Sequence, residues 1–453
     1  MSSDVLSDAD RDAVEAVRTR LQAAGVHSVM AQFVDIHGAA KGKLVPVKYL
    51  REWVSVGAGF AGPSIWGTGL PRYGERSEYF GRVQLDTLRP LPFMPGVAHA
   101  VCDGFAGRQP LSTCSRQTLK RQLARLAERG WRLMVGIEPE FFFLKQDEQG
   151  RLQLGDAADQ LDKPSYDLQS IGRNWPMLDA LRADLLTLGF DLLQIDHEDA
   201  NGQYEINYRY EEALAAADRY ILFKLTAQAA AARHGLVFST MPKPLAHAPG
   251  SGLHFHISLV DAQGRQVMAD KQAVMGLSDV GQQFVAGLLH HADAVCALCA
   301  STVNSYKRLA VSHSASGTTW APVWKAAGDN NRTCAVRTVD GRIEWRVPDP
   351  ACNVYAAIAA VLAAGLSGID AQRPAVQPCN EDLYQRYALS QAMPARLPRD
   401  LACALEALSQ DTALQQALGE AFCAQFLEVK GAQWQSYSQH ISDWELAHDA
   451  LWV

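Results

Sequence analysis

Three features that would direct the chain to a particular partner or compartment are missing from its sequence. It has no run of lysines or arginines, and its net charge is -7 over 453 residues, so neither nucleic acid nor an anionic membrane surface would attract it. It has no Walker A motif, so any nucleotide must be held in another way. Its opening, MSSDVLSDADRDAVEAV, is acidic and polar, whereas a secretory signal is basic and then apolar. We therefore expect a cytoplasmic protein.

Cysteines with disulfide spacing are also missing. The nine cysteines are scattered and odd in number, which predicts reduced thiols in the core. Cys296 and Cys299 form a C-x-x-C with His290 and His291 just before it, but no second ligand pair accompanies them. We expect these cysteines inside a helix core, with a zinc site as the alternative.

Long hydrophobic runs are nearly absent. Residues 350–369, PACNVYAAIAAVLAAGLSGI, carry no charge and match a membrane span in length, but they are mostly alanine and would be weakly hydrophobic. A buried helix that lets its neighbours approach closely is the better interpretation. GAGFAG at 57–62 resembles a dinucleotide-binding fingerprint, yet Pro63 follows at once and no helix begins there, so we reject that function.

The sequence does contain enough apolar material for a large core, since 48% of its residues are hydrophobic. Its pattern predicts an amphipathic helix from Ala9 to Ala24, then two strands joined by a turn at His37 and Gly38. From Ser112 onward helices alternate with short strands, which predicts a mixed α/β catalytic domain. The predicted helices cover residues 117–129, 177–187, 211–234 and 277–300.

Several of the predicted strands share one unusual property. Alternation gives each an apolar face and an opposite face that bears acid, imidazole or guanidinium groups but no lysine. For one strand, a solvated outer face would explain this; for all of them together it does not. The polar faces hold Glu138 and Glu140, then Glu198, then Glu205, Asn207 and Arg209, then His254, His256 and Ser258, and last Glu344 and Arg346.

If these strands adjoin, five carboxylates converge. Bare carboxylates at such distances repel one another and take up protons, so the arrangement requires divalent cations. Oxygen ligands with an occasional imidazole suit Mg²⁺ or Mn²⁺ better than a structural zinc. Arginines beside such metals suit phosphoryl transfer, because cations neutralise charge that develops on the equatorial oxygens.

The segments that carry this pattern resemble the glutamine synthetase family over nearly the whole chain. They read GIEPEFFFL, HEDANGQYEINYRY, MPKPLAHAPGSGLHFHISL, NSYKRL, NNRTCAVR and RIEWRVPDPACNVYAAIAAVLAAGLSGI. The resemblance implies an α+β fold, with an N-terminal β-grasp domain over residues 1–106 and a catalytic domain over 107–453 whose curved antiparallel sheet is backed by helices. It also implies a homododecamer of two hexameric rings, with active sites between subunits.

The resemblance also implies a role for each matched position. Two metal ions, Mg²⁺ or Mn²⁺, would bind in each site: Glu140, Glu198 and Glu205 near the amino-acid substrate, and Glu138, His254 and Glu344 at the ATP phosphates. Gly250 and Arg308 would bind L-glutamate, Arg346 would lie near the transferred phosphoryl group, Arg332 and Arg337 would flank the nucleotide phosphates, and Tyr210 and Ser258 would contact ATP. ATP would phosphorylate the γ-carboxylate of glutamate, and an amine would then displace phosphate.

Two departures from glutamine synthetases fall in the ammonium site. The loop F-D-G-S-S has Ala61 in place of its aspartate, and Trp320 stands where a glutamate precedes the Ala-Pro pair. The loss of two anions weakens the binding of a small cation such as ammonium. Alanine provides space, and tryptophan provides an apolar surface or a ring for a cation-π contact. Together with VMAQFVDIHGAAKGK and the FAG-x-x-WGTG loop, this resembles the γ-glutamylmethylamide synthetases, or glutamate–methylamine ligases, and the type III glutamine synthetases.

We therefore expect an ATP-dependent ligase that joins L-glutamate to a small alkylamine, with methylamine favoured. The alternatives are ammonium, a bulkier amine (ethylamine, isopropylamine, aniline or a polyamine), or a non-catalytic structural relative. Asp86 and Tyr166 match other amine-site positions, and Asp86 and His313 are candidates for the base that deprotonates the amine. Tyr384, in NEDLY, lies where some bacterial glutamine synthetases are adenylylated, but a surface tyrosine is expected.

Overall fold

A computed structural model describes residues 7–74, 76–311 and 320–451 of the chain. Seven strands between residues 28 and 110 form a first sheet in the order β2-β1-β6-β4-β3, with β5 and β7 at the ends of β6. β1 runs parallel to β6, and the other pairs are antiparallel. These strands are β1 (Ser28–Val34), β2 (Ala40–Pro46), β3 (Ala58–Ala61), β4 (Glu78–Val83), β5 (Arg89–Pro90), β6 (Val97–Ala106) and β7 (Gln109–Pro110).

A second sheet of ten strands lies in the order β10-β11-β8-β14-β17-β16-β15, with β9, β12 and β13 paired to β8. Only β15 and β16 run parallel among its pairs. Its strands are β8 (Trp131–Gln146), β9 (Leu152–Leu154), β10 (Leu192–His197), β11 (Gln203–Tyr208), β12 (Glu211–Glu212), β13 (Val237–Ser239), β14 (Leu253–Asp261), β15 (Trp324–Asp329), β16 (Cys334–Val339) and β17 (Arg342–Trp345). The expected α+β fold with a mainly antiparallel catalytic sheet is confirmed.

Helices pack on both sheets. They are α1 (Asp8–Ala23), α2 (Leu50–Ser55), α3 (Ser115–Ala127), α4 (Leu168–Thr187), α5 (Ala213–Arg233), α6 (Asp279–His290), α7 (Ala292–Cys299), α8 (Ser305–Arg308), α9 (Val354–Asp370), α10 (Leu383–Ala388), α11 (Leu401–Gln410), α12 (Thr412–Leu418), α13 (Glu420–Ser438) and α14 (Asp443–Asp449). The predicted helix at 9–24 and the two strands around His37 and Gly38 are confirmed within one or two residues.

Two predicted helix boundaries were wrong. Helix α4 begins at Leu168 rather than at residue 177, because the Asp167 carboxylate accepts hydrogen bonds from the backbone of Gln169 and Ser170 and the helix continues through Pro176. The predicted helix 277–300 is two helices. His291 separates them. Its ring makes hydrogen bonds to residues of neither helix: Nδ1 lies 2.5 Å from the Asp411 carboxylate and Nε2 lies 3.1 Å from the Ser367 hydroxyl.

The alanine-rich stretch forms the buried helix α9, as expected. It approaches α6 so closely that a Cβ built on Gly287 would lie 2.3 Å from the Ala364 carbonyl oxygen, so only glycine fits at that contact. Within the described ranges, no helix has the length and apolar character needed to cross a membrane. Cys296 and Cys299 are buried on α7, and burial raises the pKa of Cys296 to about 12, so the structure uses them as core thiols.

The two sheets contact each other through buried polar links. The Arg116 guanidinium, on α3, donates to both oxygens of Asp218 on α5 at 2.9 and 2.8 Å and also to Asp103 on β6. The Asn353 side-chain amide donates to the carbonyl of Asp35 at 3.1 Å. The expected division of the chain between residues 106 and 107 stays a prediction.

Candidate active site

Four neighbouring strands bring the predicted ligands onto one surface of the second sheet. In the order β11-β8-β14-β17, Glu205 lies opposite Glu140, Glu138 lies opposite His254, and His256 lies opposite Glu344. The alternate residues of the same strands, among them Ile137, Phe255 and Trp345, are 2% exposed or less. The apolar faces thus form the core, and the strand GIEPEFFFL is the middle of the 16-residue strand β8.

These side chains line a cavity of about 590 Å³. The structure brings together all six predicted metal ligands and seven of the other predicted site residues. The cavity wall includes Glu138, Glu140, Tyr166, Glu198, Glu205, Gly250, His254, Arg308, Trp320, Arg332, Arg337, Glu344 and Arg346. The convergence of five carboxylates inferred from alternation is therefore present in the fold.

One side of the cavity, which we call the arginine side, carries its own counter-charges. It consists of Glu138, His254, His256, Arg337, Glu344 and Arg346. The Glu344 carboxylate accepts hydrogen bonds from Arg346 at 2.5 Å and from Arg337 at 2.8 Å. Burial alone would raise the pKa of Glu344, but the charges of Arg346, His254 and His256 lower it to about 2.

Glu138 belongs to the same side and is balanced by imidazoles. Its Oε1 lies 2.9 Å from His256 Nε2, and its Oε2 lies 3.6 Å from His254 Nδ1. Burial opposes ionisation of Glu138, but the two histidines outweigh it and hold its pKa well below the usual range. The arginine side is therefore built to keep two carboxylates ionised.

The opposite side of the cavity, the acidic side, consists of Glu140, Glu198 and Glu205. Burial, and then repulsion from Glu140 and other acids, raises the pKa of Glu198 well above its usual value. Burial and repulsion from Glu138, Glu198 and Glu140 do the same to the pKa of Glu205. In the described part of the chain, no lysine or arginine lies within 4.0 Å of either carboxylate.

The charge pattern indicates whether the carboxylates and imidazoles of the cavity suit a divalent cation. Burial without a protein counter-ion makes the acidic side a site that a cation would stabilise. On the arginine side, ligand atoms of Glu138, His256 and Glu344 lie within 4.8 Å of one another. The residues fit hard divalent ions with oxygen ligands and an imidazole.

His256 was placed on the polar face by alternation but was not predicted as a ligand. His254, which was, has Nδ1 3.4 Å from Glu344 and Nε2 3.7 Å from Glu140, so it lies between the two sides. His256 Nδ1 accepts a hydrogen bond from Arg342 at 3.2 Å. That bond leaves Nε2 as the His256 nitrogen that faces Glu138.

The predicted glutamate-binding residues lie at one end of the cavity. Arg308 is buried, and its guanidinium donates to the carbonyls of Val347 and Arg346 at 2.9 and 3.0 Å. A Cβ built on Gly250 would lie 2.5 Å from the carbonyl oxygen of Pro242 and 3.1 Å from the Arg308 side chain. Glycine is thus required where this loop passes the arginine.

The predicted nucleotide-binding residues occupy two adjoining spaces. Arg337 and the exposed Arg332 line the main cavity. Tyr210 and Ser258 line a neighbouring cavity of about 500 Å³ instead. Glu138 lines both cavities, so the two spaces adjoin at its carboxylate.

Ala61 and Asp86 line neither of these cavities. Ala61 ends β3 and Asp86 lies in the turn after β4, and both are exposed on the N-terminal sheet. The structure of one chain therefore does not bring them to the site. His313 lies outside the described residues.

Trp320 does line the cavity, and its contacts were not predicted. Its indole Nε1–H donates to Asp199 Oδ2 at 2.6 Å, and the Ser165 hydroxyl donates to Asp199 Oδ1. Asp199 and Ser165 also line the cavity. Both lie in loops, where no alternation marks them, and the only sequence signal was the position of Asp199 directly after Glu198.

Tyr384 is not the surface tyrosine that we expected. It is partly buried, its ring packs edge-on against Trp324 with centroids 5.0 Å apart, and its hydroxyl donates to the Ala321 carbonyl at 2.7 Å. Because Ala321 follows Trp320, Tyr384 holds the segment that bears the indole.

Comparisons with known proteins agree with this geometry. The family model for the glutamine synthetase catalytic domain matches residues 112–448. A glutamate–methylamine ligase from Methyloversatilis universalis is 43% identical over 426 residues, covering 93% of this chain and 95% of the relative. A glutamine synthetase from Rhizobium leguminosarum bv. phaseoli is 37% identical over 418 residues, covering 92% and 94%. A solved GmaS/ADP complex aligns with a TM-score of 0.89 at 36% identity, covering 96% of this chain and 99% of that one, and GmaS without ligand aligns at 0.88 with 34% identity over the same shares.

Proposed function

Because the chain belongs to the glutamine synthetase family of ATP-dependent ligases, we propose that it joins the γ-carboxylate of L-glutamate to a small alkylamine, with methylamine as the preferred substrate. The observation that carries the choice of amine is Trp320, an aromatic wall of the cavity at the position where a glutamate is expected for ammonium. The similarity to a glutamate–methylamine ligase supports the same choice.

The reaction has two steps on one carboxylate. A γ-carboxylate oxygen of glutamate attacks the terminal phosphorus of ATP, ADP leaves, and γ-glutamyl phosphate forms. The amine nitrogen then attacks the acyl carbon, phosphate leaves with the C–O bond electrons, and the nitrogen gives up a proton. Activation is needed because a free carboxylate is a poor electrophile.

Two divalent ions, Mg²⁺ or Mn²⁺, would bind at Glu140, Glu198 and Glu205 and at Glu138, His254 and Glu344. When bound, they supply Lewis acidity and neutralise phosphate charge. The donor chemistry of the acidic side supports the first position, because no lysine or arginine of the described residues lies within 4.0 Å of Glu198 or Glu205. On the arginine side, the grouping of Glu138 and Glu344 with His256 supports an ion there and adds His256 as a further candidate ligand.

The chain's own residues bind and orient the reactants. In this proposal, Arg308 and the loop at Gly250 hold glutamate, and Tyr210 and Ser258 hold ATP in the adjoining cavity. Arg346 lies near the transferred phosphoryl group, where charge spreads over the oxygens, and Arg332 and Arg337 flank the nucleotide phosphates. Arg346 is also fixed by donating to the carbonyl of Trp320 at 3.2 Å, so phosphoryl and amine sites share a wall.

The N-terminal part of the chain would complete the site of a neighbouring copy. Ala61 and Asp86 are exposed and outside their own chain's cavities, which supports the expectation that sites form between subunits. A homododecamer with an N-terminal domain of residues 1–106 and a catalytic domain of residues 107–453, located in the cytoplasm, completes this proposal.

Phosphate release with ATP, glutamate and a panel of amines tests the function. We expect the highest kcat/KM with methylamine, and lower values with ammonium, ethylamine, isopropylamine, aniline and a polyamine. Ammonium as the best substrate would overturn the argument from Trp320 and Ala61. Glu140→Gln is the inactive control, and turnover by that variant would mean that the acidic side does not take part.

A further inference from the structure

The amine site of the proposed ligase needs an anion, and the anion predicted for it, Asp86, lies outside this chain's cavities. An alkylammonium ion carries a positive charge and three N–H donors, which require acceptors as it enters a protein cavity. Ala61 is uncharged and Trp320 replaces an expected glutamate. A carboxylate near Trp320 would supply both the charge and the acceptors.

Asp199 is such a carboxylate. It lies on the cavity wall, where Oδ2 accepts the Trp320 indole N–H at 2.6 Å and Oδ1 accepts the Ser165 hydroxyl. Each carboxylate oxygen has a second lone pair, so both can accept one more donor. Within the described ranges, no lysine, arginine or histidine lies within 4.0 Å of it to neutralise its charge.

The loop that bears Asp199 is held in one conformation. The buried ring of His197 bonds the Asp159 carboxylate at 2.7 Å and the Glu198 carbonyl at 2.9 Å. Asp159 also accepts the backbone N–H of Gly202 at 2.6 Å, and Gly202 turns the chain with φ +74°. A carboxylate on such a fixed loop is positioned before its ligand arrives, which reduces the entropy lost on binding.

Two aromatic rings stand beside this carboxylate in the same cavity. Trp320 is held against it, and Tyr166, next to Ser165, has φ +64°, a left-handed conformation that a bulky side chain rarely adopts. The Tyr166 ring is 71% exposed, so it is free to cover a ligand in the cavity. A carboxylate that shares its cavity wall with two aromatic side chains suits a cation that carries a methyl group.

Building on the proposed function, we propose that Asp199 binds the ammonium group of the amine substrate, and that Trp320 both fixes this carboxylate and covers the alkyl group. Asp199 is then a residue that determines amine affinity, and Ser165 is a positioning residue. The ion pair acts on the amine alone, so glutamate and ATP should bind without it.

Steady-state phosphate release by the assembled enzyme with Asp199→Asn tests this inference. Asparagine keeps an oxygen for the indole N–H but loses the charge. We expect KM for methylamine to rise about 10- to 100-fold, the usual loss for a hydrogen bond to a charged group. KM for glutamate and for ATP should stay within about threefold of the wild type, since neither contacts Asp199.

Asp162→Asn is the matched control, because it also removes one carboxylate charge but Asp162 is exposed and lines neither cavity. Its KM for methylamine should stay within about threefold; an equal rise in both variants would mean that only the net charge of the protein matters and would overturn the inference. So would an unchanged KM for methylamine in Asp199→Asn. If Asp199→Asn does not assemble, Trp320→Phe provides the test, because it deletes the indole N–H that holds Asp199 Oδ2. An unchanged ratio of KM for methylamine to KM for glutamate in Trp320→Phe would overturn the inference.

This outcome is separable from the fate of the proposed function. If ammonium proves the best substrate of the wild type, the choice of methylamine fails, but Asp199→Asn must still raise KM for ammonium. If methylamine is the best substrate and Asp199→Asn has no effect on its KM, the ligase stands and the role of Asp199 is wrong.

Discussion

The two sides of the cavity solve the same problem, buried carboxylates, in opposite ways. On the arginine side Glu344 is 1% exposed and paired with the guanidinium groups of Arg346 and Arg337. Burial opposes its ionisation, but the charges of Arg346 and two histidines lower its pKa to about 2. On the acidic side, burial and neighbouring acids raise the pKa of Glu198 and Glu205. The fold itself neutralises the first side, whereas in the proposed function a cation from solution would neutralise the second. Stability and metal binding should therefore respond differently to the same Glu→Gln change on each side.

The largest expected effect is that of Glu344→Gln on the metal-free protein. Glutamine leaves the guanidinium of Arg346, itself 3% exposed, buried without its counter-ion. We expect the free energy of unfolding to fall by about 3 kcal/mol, as when one partner of a buried pair is removed. Urea unfolding in EDTA at matched protein concentration measures it, and an unchanged midpoint would show that Arg346 has another counter-charge.

Glu205→Gln on the acidic side should have the opposite effect on stability. It removes one of several repelling carboxylates, so the metal-free protein should gain about 1 kcal/mol. Mn²⁺ should bind at least about 100-fold more weakly, since loss of a supporting group alone costs 10- to 100-fold. Thermal unfolding with and without Mn²⁺ measures both effects. Equal destabilisation by Glu205→Gln and Glu344→Gln would remove the difference between the two sides.

The alternation of strand residues made this cavity predictable from sequence. Glu138, Glu140, His254 and Glu344 lie on strands whose side chains follow a period of two, so local sequence fixes the face, and the family resemblance assigned their roles. Asp199 follows the end of β10, where no period applies. Its contact with Trp320 spans 121 residues, and only tertiary folding brings the two together.

The errors in the predicted helices have the same physical origin. Proline usually ends helices, but the Asp167 cap and the packing of Leu178 and Leu181 in the core carry α4 through Pro176, so it begins at Leu168 instead of residue 177. His291 breaks a strongly helical segment through its bond to Asp411, 120 residues away. Ala61 and Asp86 are exposed on the N-terminal sheet, and in the proposed function their partner is another subunit, so contacts within one chain do not place them.

A third prediction concerns Trp320, a residue of the cavity wall that belongs to neither the arginine side nor the acidic side. Trp320→Ala should lower kcat/KM for methylamine about tenfold, the scale of a lost cation-π contact and apolar wall. The kcat/KM for isopropylamine should fall less, because the space that opens in Trp320→Ala admits the second methyl group of this amine. Trp175→Ala is the control, since Trp175 on α4 is exposed to a similar degree, 44% against 42%. An unchanged ratio of the two amines would exclude Trp320 from substrate selection.

The smallest effect is expected from Tyr384→Phe, which tests how the segment that bears Trp320 is held in place. The hydroxyl of Tyr384 donates to the Ala321 carbonyl, and its removal should cost about 1 kcal/mol. That cost falls on the segment bearing Trp320, so KM for methylamine should rise about two- to fivefold while KM for ATP stays constant. Tyr387→Phe is the control, because its ring also packs near Trp324, with centroids 5.9 Å apart, but does not hold Ala321. If both variants changed both KM values alike, the loss would be one of general packing. A change in Tyr384→Phe that is confined to KM for methylamine would mean that this hydroxyl, through the backbone of Ala321, sets how firmly the Trp320 indole closes the amine site.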